Sequence, residues 1–146
     1  MNEVYCEALS IYQSIFNLLG EQNFWVHYDQ TFRAASSIVA NIAEGEGSDW
    51  GKRGYLLIRL INARGSLCET LAWLDIAVVE GKVSSEDVRE IRERLNQLRQ
   101  VLTEAMDEIT ENQTEIPNTV AGRRAANQQY WAEKAREMKE RREPNV

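Results

Sequence analysis

Between Ser84 and Glu111, apolar residues return at alternating steps of three and four for three heptads: Val88, Ile91, Leu95, Leu98, Leu102, Ala105 and Ile109. At 3.6 residues per turn, only an α-helix gathers such positions on one side, and a stripe this regular calls for a long antiparallel neighbour. Ser84 and Asp87 stand at capping-box spacing at its start. On the wet side, Arg89 with Glu93, or Glu90 with Arg94, are placed to pair. The spacing predicts a helix over 84–111 inside a bundle.

The rest of the chain supplies the neighbours. Val4, Ala8, Ile11, Tyr12, Ile15, Phe16 and Leu19 predict a first helix over 3–19, ending at Gly20. Phe24, Trp25 and Tyr28 then form an aromatic connector expected to lie over one end of the bundle. A second helix is expected from about Gln30 to Glu44, with Ala35, Ile38 and Ile42 as its stripe and Gly45 as its stop. A third begins near Ser48 or Asp49, either able to cap it, and reaches about Glu80 before Gly81. With two prolines and eight glycines in 146 residues, the composition suits an all-α, antiparallel up-down four-helix bundle over 1–113. A linker (114–118) and a basic helical extension (119–146) follow.

Two features of the third helix call for explanation. Leu57, Leu60, Arg64, Leu67, Leu71, Leu74 and Val78 form a seam in which Arg64 is the one charge. An unpaired guanidinium there would cost several kcal/mol, so Arg64 must reach a carboxylate or carbonyls, or leave the core at a subunit boundary; Glu44 is the preferred partner. The stretch Asn62–Ser66 is also thin, and Gly65 inside a helix costs about 1 kcal/mol relative to alanine. Close approach of Ala34, Ser37 and Ala40 would account for it, against a ligand-binding role that no surrounding constellation supports.

Four glycines fall within residues 45–54, beside Lys52 and Arg53. A phosphate-cradling loop needs Gly, four residues, Gly, Lys and then Ser or Thr after a strand. Here Glu46 stands five residues before Gly51, Arg53 takes the hydroxyl's place, and Glu44 and Glu46 would repel the anion. The stretch reads as a corner between helices. His27 is the single histidine, expected at the surface or a cap, which excludes two-histidine zinc and di-iron sets. Cys6 and Cys68, 62 residues apart, read as small core or interface residues with reduced thiols in a cytosol, and no apolar run has membrane-spanning length. No cofactor or metal set and no catalytic constellation emerges, so the reading is a non-enzyme.

Charge is uneven. Residues 1–80 carry 5 basic and 10 acidic side chains, 81–115 carry 5 and 9, and 116–146 carry 7 and 4. An acidic body repels phosphate; the basic end alone has the sign for nucleic acid.

The segments QTFRAASSIVANIAEGEG (30–47) and YLLIRLINARGSLCETLAWLDIA (55–77) closely resemble the bacterial four-helix bundle proteins of the 23S rRNA-intervening-sequence family. The motif falls on Gln30, Arg33, Ala34, Ser37, Ile38, Asn41, Ile42, Ala43, Glu44 and Gly45, then Tyr55, Ala63, Arg64, Gly65, Ser66 and Glu69. The resemblance implies a ring-like homopentamer without catalytic activity. It also implies a kinship with accessory proteins of diversity-generating retroelements, pentameric adaptors that bind a reverse transcriptase and its template RNA. Of the motif, Arg33, Asn41, Glu44, Gly45, Arg64, Gly65, Ser66 and Glu69 are the expected interhelix polar network.

This chain departs from its basic, nucleic-acid-binding relatives in its acidic body and in its added segment 119–146. There Tyr130 and Trp131 stand among Arg123, Arg124, Lys134, Arg136, Lys139, Arg141 and Arg142. Three readings stay open for that segment: a solvated helix with internal ion pairs from Glu133, Glu137, Glu140 and Glu143; an RNA arm combining phosphate contacts with base stacking; or a protein-docking helix led by Trp131 and Met138. The function implied is an RNA-associated oligomeric adaptor, or alternatively a protein-only scaffold or a product of a ribosomal-RNA insertion.

Overall fold

A computed structural model describes residues 3–22, 24–47 and 53–111. Four helices follow one another: α1 (Glu3–Leu19), α2 (Tyr28–Gly47), α3 (Arg53–Val79) and α4 (Ser85–Glu111). No strand occurs among the described residues. The chain divides into two units, 1–109 and 110–146, and the helical core belongs to the first. The expected linker and basic extension lie outside the described residues.

Side-chain pairs fix the topology. Phe16 of α1 meets Phe32 of α2 edge-on, with ring centroids 5.8 Å apart. Ser66 of α3 hydrogen-bonds Ser37 of α2, and Arg92 of α4 pairs with Asp75 of α3. Arg94 of α4 closes the circuit on α1, its Nε donating to Glu7 Oε1 (2.8 Å) and its other nitrogens reaching Ser10 and Ser14. That bond to Glu7 raises the Arg94 pKa above its ordinary value. In this up-down square, α1 and α3 stand at opposite corners. The α2 and α3 backbones approach each other most closely.

The helix ends follow their local chemistry. A Cβ on Gly20 would lie 2.8 Å from the Phe16 carbonyl oxygen, so the chain leaves α1 where glycine alone fits. At the end of α3, Gly81 takes φ of 66°, Lys82 N–H donates to Ala77 O and Gly81 N–H to Val78 O, the paired bonds of a Schellman stop. The expected capping box opens α4: Asp87 N–H donates to Ser84 Oγ (3.1 Å), and the Ser84 N–H and hydroxyl donate to Asp87 Oδ2. These bonds from Ser84 hold the Asp87 carboxyl below its usual range.

The core holds Ala8, Ile11, Ile15 and Leu19 from α1, Ala35, Ile38 and Ile42 from α2, and Val88, Ile91, Leu95, Leu98 and Leu102 from α4, all expected from periodicity. Four details differ. α2 starts two residues earlier and continues through Gly45 to Gly47. Phe16 lies 46% exposed, and Phe24 is exposed while Trp25 is buried, its indole donating to Glu80 at 2.6 Å. Along α4, Met106 enters the core and Ala105 only flanks it, because a 3.6-residue turn drifts against a strict heptad. Arg89 pairs backward with Glu86, and Arg94 crosses to α1 instead of pairing with Glu90.

The α3 register is the main correction. Its buried face is Leu60, Ala63, Leu67, Thr70, Leu74 and Ala77, whereas Leu57, Leu71 and Val78 flank it and Arg64 is half-buried beside α4. The apolar residues of α3 run all round the helix, so two registers were open on periodicity alone. The chosen one turns the guanidinium out of the core, which avoids its desolvation, and buries Ala63 and Thr70 in its place. The Thr70 hydroxyl is satisfied by the Ser66 carbonyl at 2.8 Å.

Candidate functional site

Along the α2–α3 seam runs an open groove of about 550 Å³, lined by residues that include Gln30, Arg33, Ser37, Asn41, Glu44, Arg59, Ser66 and Glu69. On α2, steps of four and three bring Arg33, Ser37, Asn41 and Glu44 to one side. Arg59 and Ser66, seven residues apart on α3, face them across the seam.

A continuous polar chain crosses the groove. The Ser66 hydroxyl donates to Ser37 Oγ at 2.9 Å. Asn41 Nδ2 donates to both the Ser37 carbonyl (2.8 Å) and Ser37 Oγ (3.1 Å), and Asn41 Oδ1 accepts from Arg59 Nη1 at 3.4 Å. The same Nη1 lies 2.7 Å from Glu44 Oε2. Arg59 also covers the Tyr55 ring, 4.8 Å from its centroid. Its Nε is buried without a hydrogen-bond partner among the described residues, a cost the ion pair and ring contact must offset.

Gly45 sits beneath this network. A Cβ there would fall 2.9 Å from Leu56 Cδ1 and 3.3 Å from Arg59 Cβ, so the glycine serves close helix approach and not helix termination. Arg33 and Glu69 are exposed at the rims, and Glu69 accepts the Trp73 indole N–H at 3.3 Å.

The groove thus gathers Arg33, Asn41, Glu44, Ser66 and Glu69, with Gly45 below. Arg64 and Gly65 are not part of it. The expected Glu44–Arg64 pair is replaced by Glu44–Arg59: Arg64 lies five residues beyond Arg59, well around the helix, and its Nη1 is 3.5 Å from Thr103 Oγ1 of α4. Gly65 is exposed, and a Cβ on it would meet nothing within 4 Å, so no helix of the same bundle packs against it. Ser66, not Gly65, makes the α2 contact. Arg59 escaped the sequence reading, although its seven-residue spacing from Ser66 placed both on one face.

Chemically the groove is balanced. Arg59 is paired with Glu44, and the other two charged residues of the lining, Arg33 and Glu69, are of opposite sign, which leaves little excess positive charge for a phosphate. No cluster of three metal-ligating side chains occurs among the described residues. His27 stacks on Trp73 (centroids 4.9 Å) and approaches Glu80 at 3.6 Å, while Cys6 and Cys68 are exposed, which removes the core reading of both thiols. Residues Arg123, Arg124, Tyr130, Trp131, Lys134, Arg136, Lys139, Arg141 and Arg142 lie outside the described residues.

With the two motif segments facing each other across one seam, comparison with known proteins is decisive. The sequence matches the family of the 23S rRNA-intervening sequence protein over residues 2–104. The chain belongs to that family. Its fold is similar to a crystal structure of a protein of unknown function from the S23 ribosomal protein family of Bacteroides thetaiotaomicron VPI-5482, with 25% identity and a TM-score of 0.64. That likeness covers 70% of this chain and 97% of the other. None of the curated proteins matches. No described helix of this 23S rRNA-intervening-sequence family member is long and apolar enough to cross a membrane.

Proposed function

We propose that this family member is a non-catalytic, homo-oligomeric, RNA-associated adaptor of the cytoplasm. The resemblance to retroelement accessory proteins extends the proposal to a pentameric ring serving a reverse transcriptase and its template RNA. One observation supports it above others: beyond the family match at residue 104, the chain ends in a segment, 116–146, with 7 basic and 4 acidic side chains. The acidic bundle and its charge-balanced groove suit protein contacts, and the basic end suits phosphate. The acidity of the bundle also favours the second reading, a protein-only scaffold.

Salt titration of a structured RNA by fluorescence anisotropy separates the two. For the adaptor, affinity falls steeply with salt, and a chain ending at residue 115 binds more weakly with a shallower slope. Affinity unchanged by that truncation would refute the RNA arm.

A further inference from the structure

Arg64 leaves the core without finding a carboxylate. Its one hydrogen bond is long, Nη1 to Thr103 Oγ1 at 3.5 Å, and the Thr103 hydroxyl donates its own hydrogen to the Arg99 carbonyl at 2.8 Å. A guanidinium has five N–H donors, so most of those on half-buried Arg64 are left for water or a ligand. Arg99 is the exception on α4. Arg89, Arg92 and Arg94 hold Glu86, Asp75 and Glu7, whereas the Arg99 guanidinium pairs with no acid among the described residues.

Both unpaired cations line one space. An open groove of about 770 Å³ between α3 and α4 holds them, with Asn96, Gln100 and Thr103 beside Arg99 at steps of three and four on one side of α4. Glu104 is the single acid of the lining, and Gln100 Nε2 donates to its Oε1 at 2.8 Å. Two positive charges thus stand against one negative, a surplus that the α2–α3 groove lacks. The bundle around it is acidic, but beyond about 8 Å in physiological salt that repulsion is largely screened, so the near charges decide. The rest of the lining selects among anions. It contains no aromatic ring on which a nucleobase could stack and no large apolar side chain to anchor a protein partner. It offers N–H groups instead, from guanidiniums on two helices and from side-chain amides, a set that suits the several oxygens of a phosphate.

We infer that this groove binds a phosphate group, held between Arg64 of α3 and Arg99 of α4. Arg64 then gains the counter-charge that its own bundle does not supply. The phosphate belongs either to a small phosphorylated molecule or to an RNA backbone, which present the same chemistry to the two arginines. The site lies on the bundle and not in the basic end, so its failure would leave the adaptor reading standing.

Cys68 supplies the probe. It is exposed in the wall of the groove, four residues after Arg64, whereas the other exposed thiol, Cys6, lies on α1. Alkylation of the full chain by iodoacetamide is followed at both cysteines by peptide mass spectrometry, with inorganic pyrophosphate as the ligand and sodium chloride at equal ionic strength as the reference. Pyrophosphate should slow Cys68 several-fold and leave Cys6 unchanged. The concentration that half-protects Cys68 should rise about tenfold in Arg64→Gln and in Arg99→Gln, each losing charge-assisted bonds. Arg89→Gln, outside the groove, should keep the wild-type value. Circular dichroism checks the fold, and if Arg64→Gln loses helix, Arg99→Gln at its exposed site carries the test. A single-stranded RNA with hydroxyl ends contains phosphodiesters only. Protection by that RNA, removed by Arg99→Gln, would assign the phosphate to an RNA backbone, and protection by pyrophosphate alone would assign it to a small phosphorylated molecule. Cys68 alkylated as fast in pyrophosphate as in chloride would overturn the inference, as would protection that both arginine variants preserve. Equal protection by citrate would overturn it too, because charge and not phosphate would then be what the groove reads.

Discussion

Arg59 Nη1 lies 2.7 Å from Glu44 Oε2, joining the third helix to the second across the seam where the two family-motif segments meet. The side chains are 27% and 51% exposed, so water screens the pair and its Coulomb term is worth about 0.5 kcal/mol. Arg59 contributes more by packing: its stem lies against Gly45 and its guanidinium over Tyr55. Arg59→Ala is expected to cost about 1–2 kcal/mol of stability and Glu44→Gln under about 1 kcal/mol. Urea unfolding measures both, and equal losses would contradict this division.

The two motif glycines are expected to respond in opposite directions. Gly45→Leu forces a side chain into Leu56 and the Arg59 stem and should destabilise by about 1–3 kcal/mol. Gly65→Ala meets nothing within its bundle and should stabilise by about 0.5–1 kcal/mol through helix propensity. Thermal unfolding of both variants beside the wild type, at one fixed chain concentration, compares them.

Arg94 ties α4 to α1 through Glu7, Ser10 and Ser14. Arg94→Ala should lower stability by about 1–2 kcal/mol, since charge-assisted bonds are lost at a partly screened site. Arg89→Ala, which breaks an exposed pair one turn earlier, should change stability by less than about 0.5 kcal/mol. Parallel urea titrations read the contrast.

The α4 cap should make stability depend on acid. The Asp87 pKa is lower in the folded chain than its ordinary 3.8, chiefly through the Ser84 hydroxyl. Its contribution is therefore complete above the unfolded value and is lost as pH falls through the folded one. Asp87→Ala should lower the melting temperature at neutral pH and remove that part of the acid-side decline. Melting curves of both chains across the acid range would expose a parallel decline as the contrary result.

How legible each part was depended on how distinctive its pattern was. α4 mixes one apolar stripe with charged residues elsewhere, so a single register satisfied it, and Ser84 and Asp87 announced its start. α3 is apolar on several sides, and its pattern was equally compatible with a core that contained Arg64 and with one that excluded it. Only the neighbours resolved the ambiguity: α2 offers Ser37 to Ser66, and the outward side leaves Arg64 half-buried near Thr103.

The candidate site shows the same division. Arg33, Asn41, Glu44, Ser66 and Glu69 were legible as a motif, but their partner Arg59 was not, because an ion pair between helices depends on which faces meet. Gly45 read in sequence as a helix stop and Gly65 as the point of close helix approach, and the structure reverses the second of these roles onto Gly45. One lies beneath another helix and the other faces open space. By itself, then, the sequence determined the four helices, the stops at Gly20 and Gly81, the capping box of α4 and the family, since these follow from local spacing and short-range hydrogen bonds. Tertiary structure alone decided the α3 register, the partner of Glu44 and the groove shared by Arg64 and Arg99, because each depends on which surfaces the packed bundle brings together.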